Sequence, residues 1–264
     1  MTVNEPTGEI KIRLQRLACR LTGWLSSRAI DALLRILVQG RLGHLTPDEG
    51  LRFLFRLDNF LYNLQGEVAV AYGDGVHPKH RIMRYHDFFI SRVHPGERVL
   101  DIGCGIGALA FDLAEQAGAY VLGIDLAESN IAQARRQFGH TRVEYRVGDV
   151  TDDLPKEAVD VAVLSNVLEH LPSRPAFLRR VLAVGPSRLL IRVPLIEHEW
   201  RAPLKRELGV EWRLDVTHET EYTPHQFTAE LAEAGLVTTH REICWGELWA
   251  EAISNPETTQ RIFI

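Results

Sequence analysis

The chain has 264 residues, 45% apolar and 25% charged, the balance of an ordinary globular protein with room for one generous domain or a domain plus an appendage. Its formal net charge of -5 speaks against a general nucleic-acid binder. No apolar run approaches the ~20 residues of a membrane span. Cys19, Cys104 and Cys244 are widely spaced and offer neither a disulfide framework nor a CxxC metal pattern, which predicts a reducing, cytoplasmic setting. The opening "MTVNEPTGEIK" lacks the charged start and apolar core of a signal peptide.

Residues 1–76 are expected to form an N-terminal helical cap, with residues 77–264 as the main domain. In "IKIRLQRLACRLTGWL" Leu14, Leu17, Leu21 and Leu25 share one stripe and Arg13, Arg16 and Arg20 another. "SSRAIDALLRILVQG" repeats the pattern between a serine start and Gly40. "TPDEGLRFLFRLDNFLYNLQGEVAVAYG" opens with Thr46 as a cap, Pro47 in the first turn and two early acids. Residues 1–45 carry seven Lys/Arg against three Asp/Glu, a local +4 that leaves -9 elsewhere. Basic residues opposite a Leu/Trp stripe suit either peripheral contact with a membrane or glycolipid, or packing on protein, including a homodimer.

From residue 78 the pattern changes. "PKHRIMRYHDFFISRV" reads as a helix leading into a strand. Strands are then expected at 98–102, 120–125, 142–147, 159–164 and 188–193, with helices at 107–117, 127–138 and 175–184 between them. Such alternation implies a parallel sheet with right-handed crossovers. Residues 194–224 form a polar insertion too long for a simple connection. The helix "TPHQFTAELAEAGL" follows, then "VTTHREICW" and "ELWAEAIS", close enough to pair antiparallel. The expected fold is therefore α/β: a Rossmann-like, mostly parallel seven-stranded sheet with an antiparallel C-terminal strand, plus the helical cap.

The first crossover, "RVLDIGCGIGALAFDLAEQAGAYVLGID", carries the chemistry. Gly103, Gly105 and Gly107 let the backbone approach a ligand, and Asp125 ends the second strand where a carboxylate can take both ribose hydroxyls. Gly103-x-Gly105-x-x-Ala108 also fits a dinucleotide loop, so the glycines leave a nicotinamide cofactor open. Asp101 separates the two cases. An acid beside the turn repels a pyrophosphate and attracts the ammonium and sulfonium of S-adenosylmethionine.

"VLDIGCGIGALAFDLA" resembles the first motif of class I S-adenosylmethionine-dependent methyltransferases. "GIDLAESNIAQARRQF", "VGDVTDDLP" and "VDVAVLSNVLEHLPS" resemble the later motifs, in order and spacing. The resemblance implies Asp101, Gly103 and Gly105 around the methionyl part, Asp125 on the ribose and Leu126 on the adenine. It implies Asp149 on the adenine amino group with Val150 nearby, and Ser165 and Asn166 on the methyl-donor side. Tyr85 and either Arg81 or Arg84, just before the first strand, are candidates for the cofactor carboxylate or for an anionic acceptor.

A hydroxyl acceptor must lose its proton as it is methylated. His170 in "NVLEHL" is the first candidate base, with Glu169 as a possible orienting partner. Asp215 and His218 of the insertion are the second. The insertion gathers Glu197, His198, Glu199, Asp215, His218, Glu219 and Glu221, which admits a lid over a polyhydroxylated acceptor, a magnesium or manganese site, or a solvated loop. "DVTHETEYTP" resembles small methyltransferases found with polysaccharide biosynthesis enzymes, which points to a saccharide or glycan-precursor hydroxyl, with an oligosaccharide as a possible acceptor. The alternative is a quinone-like, lipid or small natural-product acceptor.

Overall fold

A computed structural model describes residues 22–256. The helix expected over "IKIRLQRLACRLTGWL" lies outside the described residues through residue 21. The chain divides into two compact units, one ending at Asp58 and the other beginning at Asn59.

The described part of the first unit is helical. Helix α1 spans Ser27–Leu42, and the Ser26 hydroxyl accepts the Ala29 N–H at 3.2 Å as its cap. Helix α2, Pro47–Tyr72, carries Asp48 and Glu49 in its first turn, as its start signals predict. The dividing line between the units falls inside α2, ahead of the expected boundary at 76/77. No residue of α1 is buried, and Leu33, Leu34, Ile36 and Leu37 lie exposed along it. Among the described residues no helix is long and apolar enough to cross a membrane.

The second unit is built on one sheet. Its elements are α3 (Lys79–Met83), α4 (Tyr85–Ile90), β1 (Arg98–Ile102), α5 (Ala108–Gln116), β2 (Tyr120–Asp125), α6 (Glu128–Gln137) and β3 (Val143–Val147). They continue with β4 (Val161–Ser165), α7 (Arg174–Ala183), β5 (Arg188–Pro194), α8 (Arg201–Glu207), α9 (Pro224–Glu233), β6 (Leu236–Cys244) and β7 (Glu247–Ser254). The strand order is β3-β2-β1-β4-β5-β7-β6. The first five strands pair in parallel, and β7 runs antiparallel to both β5 and β6.

Side chains alternate across this sheet with the two-residue period of a strand. Leu100, Ile102, Ile124, Leu164 and Ile191 meet α7 and α9 on one face. Val99, Val121, Val163 and Leu190 meet α4, α5 and α6 on the other. Covered on both faces, the central strands are fully buried, which is why they read as nearly continuous apolar runs.

Two local features differ from the sequence reading. The helix expected over 78–93 is two short helices, broken where Arg84 takes a left-handed φ of 52°. The insertion holds a helix of its own, α8, which its proline and short length conceal. The insertion also begins and returns at one point: Leu195 and Tyr222 bridge in parallel, and the Ile196 N–H donates to the Tyr222 carbonyl at 3.0 Å.

Candidate active site

The glycine turn follows β1. Gly103, Gly105 and Gly107 all have positive φ. A Cβ on Gly107 would stand 2.6 Å from the Tyr145 hydroxyl, so this glycine admits Tyr145 rather than a ligand. A Cβ on Gly105 would meet nothing within 4 Å, which leaves the open face of the turn at this residue.

Two carboxylates flank the turn. Asp101 is 1% exposed, and among the described residues its Oδ2 has no hydrogen-bond partner. Burial, aided by the neighbouring Asp125 charge, pushes it up to about 8. Asp125 Oδ2 accepts the Gly105 N–H at 2.8 Å, and Oδ1 accepts the Ala127 N–H at 2.9 Å and Asn130 Nδ2 at 3.0 Å. The end of β2 thus clips the turn from below. An orphaned buried acid beside an open glycine turn fits a cationic, phosphate-free ligand such as S-adenosylmethionine and disfavours a pyrophosphate.

The other expected donor-side residues sit along the same carboxyl edge. Leu126 is 72% exposed next to Asp125. Asp149 closes a turn, its Oδ1 accepting the Thr151 N–H at 2.8 Å and hydroxyl at 2.7 Å, and Val150 packs against the core. Ser165 Oγ receives Arg192 at 3.2 Å. Asn166 takes a left-handed φ of 58° and donates from Nδ2 to Glu169 Oε1 at 2.8 Å. Tyr85 is buried, whereas the Arg84 side chain is 75% exposed and paired with Asp87.

A second cluster forms at the end of β4. Glu169 is fully buried, and burial pushes it up to about 7. Its backbone carbonyl accepts the Glu219 N–H at 2.7 Å and so ties the insertion to the turn. The His170 and His218 rings meet edge to face, with centroids 4.6 Å apart. Glu169, His170 and His218 each offer a ligand atom within 4.8 Å of the others.

Hydrogen bonding fixes the histidine tautomers. Thr217 donates its hydroxyl proton to Asp215 at 2.7 Å, so it accepts from His170 Nδ1 at 3.0 Å. His218 Nδ1 donates to Glu221 Oε1 at 2.7 Å. Both Nε2 atoms are thereby left for chemistry. Burial, joined by the His218 charge, holds His170 below its ordinary value. Burial also opposes charge on His218, but the Glu221 carboxylate outweighs it and leaves His218 above the ordinary value.

The structure thus brings His170 and His218 together and gives Asp215 an indirect place, through Thr217. The partner of Glu169 is Asn166, not His170. The oxygen-rich cluster expected in the insertion is dispersed: Glu197 is exposed, Glu199 pairs with Arg201 at 2.7 Å, and Asp215 faces Thr217. The His198 side chain lies outside the described residues. What remains, two imidazoles and one carboxylate, has the donor character of a zinc, iron or manganese site, and magnesium, which seeks oxygen, fits it poorly.

Sequence reasoning missed the ion pair between Arg192 and Glu247. Arg192 is 2% exposed, and its Nε and Nη2 meet the two Glu247 oxygens at 2.5 and 2.6 Å. Its guanidinium also lies 3.7 Å from the Tyr85 ring centroid. The signal was an arginine inside the apolar run "LLIRVP", which a buried strand tolerates only with a partner.

The strand order, the glycine turn after β1 and the carboxylate ending β2 form a Rossmann-like frame of the methyltransferase fold. Residues 99–185 match the family model described as Methyltransferase domain. Among curated proteins, the chain is 34% identical over 154 residues to the ubiquinone biosynthesis O-methyltransferase of Bradyrhizobium diazoefficiens and 32% identical to that of Rhodopseudomonas palustris strain BisB5. Each match covers 55% of this chain, and the chain spans 60% of the length of these relatives.

Solved structures agree on the fold. The magnesium protoporphyrin IX methyltransferase of Synechocystis PCC 6803 with bound SAH (S-adenosylhomocysteine) matches with a TM-score of 0.54 and 19% identity over 65% of this chain and 82% of the other. An S-adenosylmethionine-dependent methyltransferase of Aquifex aeolicus matches with a TM-score of 0.51 and 19% identity over 64% and 88%.

Proposed function

We propose that the protein is an S-adenosylmethionine-dependent O-methyltransferase acting on a phenolic hydroxyl of a quinone-like small molecule. The observation that carries the reading is the pair of facing histidines beside Glu169, at the same sheet edge as the donor turn. The names of the relatives favour this acceptor over the saccharide expected from the sequence. A homodimer contact would rest on the exposed apolar residues of α1.

S-adenosylmethionine supplies an activated methyl group in such a site. Asp101 and the open face at Gly105 receive its cationic end, and Asp125 holds the ribose. Asp125→Ala is therefore expected to weaken SAH binding about 10- to 100-fold, the worth of a charged hydrogen bond. Calorimetry on a variant with the wild-type circular dichroism spectrum checks this, and unchanged affinity removes the ribose role.

His218 serves as the base that takes the hydroxyl proton at Nε2, oriented by Glu221 at Nδ1. His170 packs edge to face on it, its tautomer set by Thr217. The base must be neutral to act, so the acidic limb of the rate profile follows its pKa. Glu221→Gln removes the carboxylate that favours the imidazolium, and the limb is expected to move to lower pH while the maximal rate falls. A limb that stays in place removes His218 from this role. A divalent ion held by Glu169, His170 and His218 would polarise the same hydroxyl; zinc or manganese rescue after chelation tests it. The acceptor class is tested with labelled donor against catechols, hydroquinones and saccharides, and transfer to saccharides alone refutes it.

A further inference from the structure

A second cavity lies apart from the donor turn and the facing histidines. It encloses about 300 Å³, the small end of the range of ligand sites and room for one ring-sized molecule. Ala108, Asp112 and Gln116 form one wall. Spaced four apart, they share one stripe of α5, while Leu109, Ala110, Leu113 and Ala114 occupy the buried stripe. The cavity is therefore on the outer side of α5, and no residue of the glycine turn or the insertion lines it.

The opposite wall comes from α3 and α4, on either side of the left-handed break at Arg84, and carries His80, Arg81 and His86. A chain of contacts joins the two walls. His86 Nδ1 lies 2.6 Å from Asp112 Oδ2, His86 Nε2 lies 3.2 Å from His80 Nδ1, and His80 Nδ1 lies 2.7 Å from the Tyr85 hydroxyl. Tyr85 is itself buried beneath Arg192. Walls tied in this way make the cavity a standing part of the fold.

The charges inside it are unequally matched. Asp87 pairs with Arg84 at 2.5 Å, and Asp112 is spent on His86. Arg81 is the exception: among the described residues its guanidinium makes no hydrogen bond and no ion pair. The Gln116 amide likewise has no partner among them. His80 adds a donor. Burial, with the His86 charge beside it, holds His80 down to about 4, so its ring is neutral. It accepts the Tyr85 hydroxyl at Nδ1 and keeps its proton on Nε2. Val76, Ile90 and Phe138 supply an apolar floor.

Unspent donors, one of them permanently charged, beside an apolar floor suit an anion with an apolar body. A guanidinium fork meets a carboxylate through two parallel hydrogen bonds. A dianion such as phosphate fits less well, because the Asp87 and Asp112 carboxylates stand in the same walls and repel the second charge. We propose that this cavity is a binding site for a small monocarboxylate, the carboxylate held by Arg81 and the apolar body by Ile90 and Phe138. The site is separate from that of methyl transfer and does not depend on the acceptor reading.

The test uses the full chain with SAH present to fill the donor site, and benzoate as the probe. Calorimetric titration is expected to show one site, with benzyl alcohol, the uncharged analogue, bound at least about 10-fold more weakly. Arg81→Met is expected to weaken benzoate about 10- to 100-fold, the worth of one charge-assisted pair, and Arg81→Lys to weaken it less. Arg81 is exposed, so these variants keep the fold, which circular dichroism checks. The imidazole NMR signals report the location: those of His80 and His86 move as benzoate saturates, and those of His170 and His218 stay. The absence of saturable benzoate binding overturns the proposal. So does benzyl alcohol binding as tightly as benzoate, an Arg81→Met variant of unchanged affinity, or phosphate that displaces benzoate at equal affinity. Movement of the His170 and His218 signals in place of the other pair also overturns it and puts the acid at the methyl-transfer site. None of these measurements reads turnover, so failure of the methyltransferase reading is seen separately.

Discussion

His218→Ala is expected to lower kcat by about 10²- to 10⁴-fold, the usual worth of a positioned general base, with SAH affinity unchanged. The expectation follows from how the imidazole is held. Its Nδ1 donates to Glu221, which is 4% exposed, and this fixes Nε2 as the proton-accepting atom. The ring is itself buried against His170, so it has one orientation to offer. Removal takes away both the acceptor of the proton and the group that counters the Glu221 charge. Steady-state rates with a catechol acceptor and calorimetry with SAH separate the two effects. A variant that retains wild-type kcat would transfer the assignment to His170, whose ring packs against that of His218.

Arg192→Met is expected to destabilise the protein by about 3–5 kcal/mol, because it strands the carboxylate of a buried ion pair. Glu247 is tied to Arg192 by two hydrogen bonds and to the Trp249 indole N–H at 3.0 Å, and its side chain is 13% exposed. Without the guanidinium that charge has no strong partner and little water. The stack on Tyr85 is lost as well. Urea denaturation measures the change, and a loss under about 1 kcal/mol would class the pair with those that contribute little. Replacing both partners, Arg192→Met with Glu247→Gln, should recover a large part of the loss, since no unpaired charge then remains.

The donor half of the site was legible because its signals are local. The glycines, the acid before them and the acid ending the next strand lie within residues 101–125, and the strand–turn–helix register places them together. Strand β1 falls at the expected 98–102 for the same reason: an apolar run flanked by turn residues admits few alternatives. The acceptor half depends on contacts remote in sequence. Thr217 meets His170, Glu219 meets the carbonyl of Glu169, and Glu247 meets Arg192, and no periodicity predicts such pairs. The break at Arg84 was hidden because the amphipathic pattern continues through it, and no glycine marks the left-handed residue. Gly107 shows the opposite error. Its pattern suggested a ligand, and the structure gives it Tyr145.

The excursion that leaves the sheet at Leu195 and rejoins it at Tyr222 has its two ends side by side on an otherwise finished scaffold. It supplies His218 and Glu221, while every carboxylate and glycine of the donor turn belongs to the scaffold below. Such a closed stem can be exchanged like a cartridge. Substituting another segment that keeps a histidine and a carboxylate at the places of His218 and Glu221 should redirect which molecule is modified while the affinity for SAH stays where it was.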